Sequence, residues 1–210
     1  MAIKNMSIEV WLAYLATAIV FSFAPGSGTV NSISNGMVHG FRKSLASIAG
    51  LQLGMSVHIL LVGVGLGAIV AQSAALFTAI KWVGAAYLVW LGIQKWREHS
   101  AIDISTSNKA VSAQTLFRQA VLVNLTNPKT IVFLVALFPQ FLSPTEPQLP
   151  QIAILGITTL VVDGCVMLFY VTLAAKLSRY IRSARVMNRL NRVFGSMFIG
   201  CGALLASAQA

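Results

Sequence analysis

Charge is what this sequence lacks. Charged residues fill 10% of its 210 positions, and only 5 of them are acidic. Soluble domains carry about 25% charged residues. A chain this poor in charge cannot cover its surface with solvated side chains. That excludes an ordinary soluble enzyme, a disordered segment and a free nucleic-acid-binding domain. Cysteine is scarce as well. Cys165 and Cys201 both lie in apolar runs, and no paired-cysteine or cysteine–histidine spacing exists. A disulfide scaffold and a zinc module are therefore disfavoured. There is no His-Glu-x-x-His motif and no nucleophile elbow. Buried acids and histidines are too few for a catalytic cluster, and no soft-ligand set suggests metal export. No enzyme activity, metal or cofactor is expected.

What the chain does have is apolar length. Hydrophobic residues make up 57%, and residues 10–41 and 44–80 contain no Asp, Glu, Lys or Arg. A membrane-spanning helix needs roughly 20 mostly apolar residues. Reading between turn and charge signals gives six segments, at about 8–24, 44–71, 74–93, 117–141, 151–175 and 193–207. The third carries Lys81, the fourth is interrupted at Asn127-Pro128-Lys129, and the sixth is short. Ser22-Phe23-Ala24 looks like a signal-peptide cleavage site, but the next residue is Pro25, a poor context for processing. A retained first helix is expected.

Twelve of the 15 basic residues fall in alternate loops: Arg42 and Lys43; Lys95, Arg97, Lys109 and Arg118; and Lys176, Arg179, Arg182, Arg185, Arg189 and Arg192. The intervening loops, near Gln72-Ser73 and 143–150, hold only Glu146. Positive-inside bias then gives six spans with both termini on the outer side. The formal charge of +10 is a topology signal, not a nucleic-acid signal. The last basic stretch spaces its cations along one helical face, as an anchor for anionic lipid headgroups would.

The halves resemble each other. Lys81-Trp82-Val83-Gly84-Ala85-Ala86-Tyr87-Leu88 is echoed by Arg192-Val193-Phe194-Gly195-Ser196-Met197-Phe198-Ile199. Pro25 and Pro128 mark breaks at corresponding places. The expected fold is an all-α, polytopic single membrane domain, 1–210. It divides into three-helix repeats at 1–105 and 112–210, inverted because three is odd.

Proline removes a backbone donor, and in hydrocarbon every freed group must find a partner. Breaks at membrane depth are tolerated only around protein or a water-filled cavity. A helix restarting near Thr29 or Thr130 would aim its positive end at an anion. The first site expectation is a midplane pocket built from Pro25, Gly26, Ser27, Gly28, Asn31, Asn124, Asn127, Pro128 and Lys129, holding a substrate carboxylate or carbonyl.

Asp163 is the one acid deep in an apolar run. A mid-membrane acid costs at least ~2.5 kcal/mol, so it reads as a proton carrier, as counter-ion to a substrate ammonium group, or as a structural partner of a neighbouring Lys or polar group. His58 is either a second titrating group or an interhelical hydrogen-bond partner, and Gln52 invites the same choice. Lys81 either snorkels outward or pairs inside the bundle. The glycines between Gly50 and Gly67 suit close helix packing, including contacts in a homo-oligomer. Gly63-Val64-Gly65-Leu66-Gly67 lacks the strand context of a nucleotide loop. Trp82, Tyr87, Trp90 and Trp96 read as interfacial anchors and packing groups.

These residues resemble a known family. Ala24-Pro25-Gly26-Ser27-Gly28, His39-Gly40-Phe41-Arg42, Ser47-Ile48-Ala49-Gly50-Leu51-Gln52, the run from Lys81 to Gly92, and Val123-Asn124-Leu125-Thr126-Asn127-Pro128-Lys129 carry the resemblance. They are similar to the lysine-exporter superfamily and, within it, to the resistance-to-homoserine-and-threonine family of bacterial inner-membrane amino-acid exporters. The likeness covers nearly the whole chain. Many members carry Pro-Gly-Pro where this chain has Pro25-Gly26-Ser27. The Pro-Gly-Ser-Gly version resembles the members that export homoserine and its lactone. The resemblance implies efflux of homoserine, its lactone and, less directly, threonine, in exchange for protons. From the residues alone, a channel for ions or small solutes is the alternative, because broken helices and a glycine-rich span also suit a pore.

Overall fold

Ser7 starts the first helix by accepting a hydrogen bond from the Val10 N–H at 3.4 Å, and Glu9 follows in the positive first turn. The order is α1 (Ile8–Phe23), α2 (Ser27–Gln72), α3 (Ala74–Arg97), α4 (Ala113–Leu125), α5 (Pro128–Phe141) and α6 (Gln148–Lys176). The computed structural model describes residues 6–24, 26–72, 74–97 and 111–176, with helical pieces at 188–189, 192–193, 196, 199–200 and 203. For Lys81, Tyr87 and Pro128 it describes the backbone only. Among the described residues there is no strand.

α2 is a hairpin rather than a rod. Gly40 has φ 72° and ψ 176°, a conformation that side chains resist. There the chain folds an arm, 27–39, back on a second arm, 41–72. Ser47 donates to Asn31 Oδ1 at 2.6 Å, and Asn35 Nδ2 donates to Ser47 at 2.9 Å. A straight helix would hold those pairs roughly 18–24 Å apart.

This corrects the expected span 44–71. The helix runs from Ser27 with one turn-back, and the arm 27–39 had no place among the six segments. Its small and polar residues hide it from a hydropathy reading. Thr29, Ser32 and Ile33 are nevertheless buried, so the arm faces protein rather than lipid.

The other segments lie close to expectation. Segment 8–24 is α1 and 74–93 is α3, which runs on to Arg97. Segment 117–141 is α4 plus α5, bent by 56° at the Asn-Pro break. Segment 151–175 is α6, started three residues earlier at Gln148. Segment 193–207 falls largely outside the described residues, as do Pro25, Cys201 and residues 177–187 of the basic stretch. Ser196, within that segment, donates to the Arg192 carbonyl at 2.9 Å, a helical spacing.

Among the described residues two helices are long and apolar enough to cross a membrane, the second arm of α2, within Ser27–Leu66, and Gln148–Lys176, and the bent α4–α5 pair makes a third when taken as one span. α1 alone has 16 residues and is short for that task. Outward faces carry a belt of exposed aliphatic residues, among them Leu60, Leu61, Val64, Ile157 and Val161. Apolar surface of this extent suits lipid, not water.

Two buried clusters fill the interior. One joins α1, α5 and α6 around Tyr14, Phe21, Phe133, Phe138 and Leu155, with Phe21 and Phe133 stacked at 3.4 Å between centroids. Tyr14 also hydrogen-bonds Thr159 of α6. The other joins both arms of α2 with α4 and α6 around Ile33, Leu51, Ala120, Met167 and Val171. Gly50 and Gly54 let α4 approach the second arm. A Cβ at Gly54 would lie 2.7 Å from Asn124 Cβ, and one at Gly50 would collide with the Phe117 carbonyl.

Candidate functional site

Both helix breaks open onto the seam between these clusters. α1 ends as a helix before a proline must. Ala24 is extended, at φ −62° and ψ 129°, because the following ring disfavours the helical region. Carbonyls left over at this end are held by distant side chains. Lys129 Nζ donates to Phe21 O at 2.8 Å and to Ala24 O at 2.6 Å, and it lies 4.2 Å from the centre of the Phe21 ring. The Tyr170 hydroxyl donates to Phe23 O at 2.7 Å. Helix resumes at Ser27, with the Val30 N–H reaching the Gly26 carbonyl at 2.9 Å.

The second break is written in its own sequence. Asn127 caps α5 by accepting from the Lys129 N–H at 3.1 Å, and Pro128 opens the helix, where a missing donor costs nothing. Across the break, His58 Nε2 donates to the Asn124 carbonyl at 3.1 Å, tying the second arm of α2 to the end of α4.

Phe21, Gly26, Gly28, Thr29, Asn124, Asn127, Lys129, Thr130 and Asp163, with Leu51, Met55 and Met167, enclose a cavity. Its free space for the centre of a water molecule is about 20 Å³. That is enough for a water or so. It is far below the roughly 300–1,000 Å³ of small-molecule sites. The first turns of α2 and α5 border it. In α5 the Lys129 N–H is held by Asn127 Oδ1 and those of Thr130 and Ile131 by the Asn127 carbonyl, so it is the leading N–H groups of α2 that have no partner within their own helix. One cation, Lys129, and one acid, Asp163, line it and act on each other electrostatically. Gln52 Nε2 donates to Asp163 Oδ2 at 2.7 Å. Asn124 is buried, and its Oδ1 has no hydrogen-bond partner; Gln52 Oε1 is likewise unmet. Such orphaned acceptors cost free energy unless a ligand or water supplies a donor.

The cavity thus gathers Gly26, Gly28, Asn124, Asn127, Lys129 and Asp163 from the residues singled out in the sequence. Pro25 lies outside the described residues, and Pro128 contributes the start of α5. Ser27 is exposed, and Asn31 sits in the hairpin knot with Asn35 and Ser47 instead. His58 is buried one step away, on the Asn124 carbonyl. Sequence reasoning used Thr29 and Thr130 only to mark where helices restart, and passed over Tyr170. Each is a polar group within or beside an apolar run, which was the available sign.

A bundle of apolar helices, two of them interrupted around one charged chamber, is the build of a membrane translocator. The chain belongs to the LysE type translocator family, which matches residues 19–209. It is 53% identical over 204 residues to the homoserine/homoserine lactone efflux protein of Salmonella typhimurium, covering 97% of this chain and 99% of that one. It is 63% identical over 205 residues to a Vibrio cholerae protein named as an uncharacterized membrane protein, covering 98% and 100%. A leucine efflux protein of Klebsiella pneumoniae is 30% identical over 203 residues, covering 95% of each chain. No solved structure matches the chain.

Proposed function

We propose that this translocator exports homoserine and homoserine lactone, with threonine and related small neutral amino acids as further substrates, by proton-coupled alternating access. The observation that carries the reading is the meeting of two helix breaks, one cation and one acid at a single cavity. A small zwitterion offers one carboxylate and one ammonium. The carboxylate, or the lactone carbonyl, suits the leading N–H groups of α2 and the positive end of α5, with Lys129 nearby. The ammonium suits Asp163 and the unmet Asn124 oxygen, both acceptors. Efflux relatives at 53% identity support the substrate class.

The cavity is too small for an amino acid, so binding requires the broken segments to part. The layout supports an inverted-repeat carrier. A broken helix pair, a turn and a long helix occur once in α1–α2 and again in α4–α6. The basic loops support an inner-membrane orientation with both termini outside. Asp163 is the coupling group in this reading. A proton arriving from outside neutralises it and releases the ammonium.

Counterflow in proteoliposomes with labelled homoserine, homoserine lactone, threonine and leucine tests this, with and without an imposed pH gradient. Saturable exchange of homoserine and its lactone is expected in the wild type. Asp163→Asn should exchange without responding to the gradient. Non-saturable flux would make the protein a channel, and an unchanged gradient response in Asp163→Asn would remove the coupling role.

A further inference from the structure

Lys129 fills a place shaped for a cation. Two carbonyl oxygens accept from its ammonium at 2.8 Å and 2.6 Å, and the Phe21 ring faces it at 4.2 Å. These groups stand at the C-terminal end of α1, where aligned peptide dipoles leave negative potential. Carbonyl oxygens beside an aromatic face recognise any alkylammonium ion, not only a lysine. Phe21 and Ala24 are buried, so the place is shielded from bulk water.

The lysine stem packs directly against residue 26, where there is no side chain. A Cβ on Gly26 would lie 2.9 Å from Lys129 Cδ. The stem therefore lies along the break itself. It takes volume from a chamber that retains about 20 Å³.

We infer that Lys129 is a specificity-determining residue: its tethered ammonium occupies a cation site in the transport chamber and so turns away amino acids whose side chains end in an amine. The inference rests on the reading of the cavity as the transport site. A substrate's side-chain ammonium must compete with a lysine bound to the same protein, present at an effective concentration of mM or more. It also meets that lysine's like charge. A hydroxyl or ring oxygen faces neither penalty. With the amine removed, the vacant site suits 2,4-diaminobutyrate, which is homoserine with its hydroxyl replaced by an amine.

Two measurements test this on the full chain. The first is thermal unfolding in detergent of wild type, Lys129→Ala and Lys129→Arg, with n-propylammonium chloride against sodium chloride at equal ionic strength. Propylammonium should raise the melting temperature of Lys129→Ala and leave the other two unmoved. The second is counterflow of homoserine against 2,4-diaminobutyrate. The preference for homoserine should fall about tenfold or more in Lys129→Ala and persist in Lys129→Arg. Should Lys129→Ala fail to fold, Lys129→Met keeps most of the stem without the amine and should lower the same preference. Absence of the propylammonium shift, or a preference unchanged by loss of the amine, overturns the inference. Wild type that exchanges no homoserine would instead defeat the transport reading, and the propylammonium shift would still decide whether the cation site exists.

Discussion

The break after α1 borrows its partners from afar, whereas the break between α4 and α5 carries most of its own. At the first, Lys129 and Tyr170 come from 105 or more residues away to hold Phe21, Phe23 and Ala24. At the second, Asn127 caps the next helix and Thr126 bonds back to the Leu122 carbonyl at 2.8 Å. Among the described residues, His58 is the one side chain that arrives from another element to hydrogen-bond there. A break satisfied locally exists as soon as its helix forms. One satisfied by distant groups exists only when the bundle is assembled, and it loosens when those groups move. The first break is thus suited to movement, and the second to anchorage.

Substitutions can break or sharpen that contrast. Gly26→Leu should have the largest effect. It crowds Lys129 out of the first break, and transport should fall at least about tenfold, the loss that ~1.4 kcal/mol of misplacement produces. Its amount in the membrane should match the wild type. Near-normal flux in that variant would mean that the first break does not serve the pathway. Asn127→Ala removes the local cap and should cost about 0.5–2 kcal/mol, read as a lower melting temperature in detergent. Asn127→Asp, which can still cap, should lose much less.

Tyr170→Phe removes the donor to the Phe23 carbonyl. Interhelical hydrogen bonds in membranes average about 0.6 kcal/mol, so a smaller drop in melting temperature is expected. A larger drop than that of Asn127→Ala would reverse the assignment of anchor and mover. The smallest effect belongs to His58→Gln, which keeps a donor for the Asn124 carbonyl and should stay within about 0.5 kcal/mol.

The same contrast decides what could be read from the sequence. Asn127-Pro128 is a local cap in two letters, so the second break and the start of α5 were legible. Pro25 and the glycines marked the first break, but nothing local says that Lys129 closes it. That depends on α5 crossing α1. Asp163 stood out because an acid within an apolar run must have a purpose. Its partner Gln52 lies 111 residues away and was visible only as a polar residue in a span. The arm 27–39 was missed because hydropathy finds helices that face lipid, and this one faces protein. Asn31 was drawn to the site by its nearness to Gly28 along the chain. The turn at Gly40 instead sends it to Ser47.

The tightness of the chamber where the helices break has a bearing on the cell's energy economy. A pore wide enough for an amino acid at all times would let hydrated ions through and discharge the membrane. Here the space between the breaks is about 20 Å³, and a lysine lies across part of it. A continuous queue of solvent molecules needs more room than that, which is the condition an exporter must meet to leave the voltage across the bilayer standing.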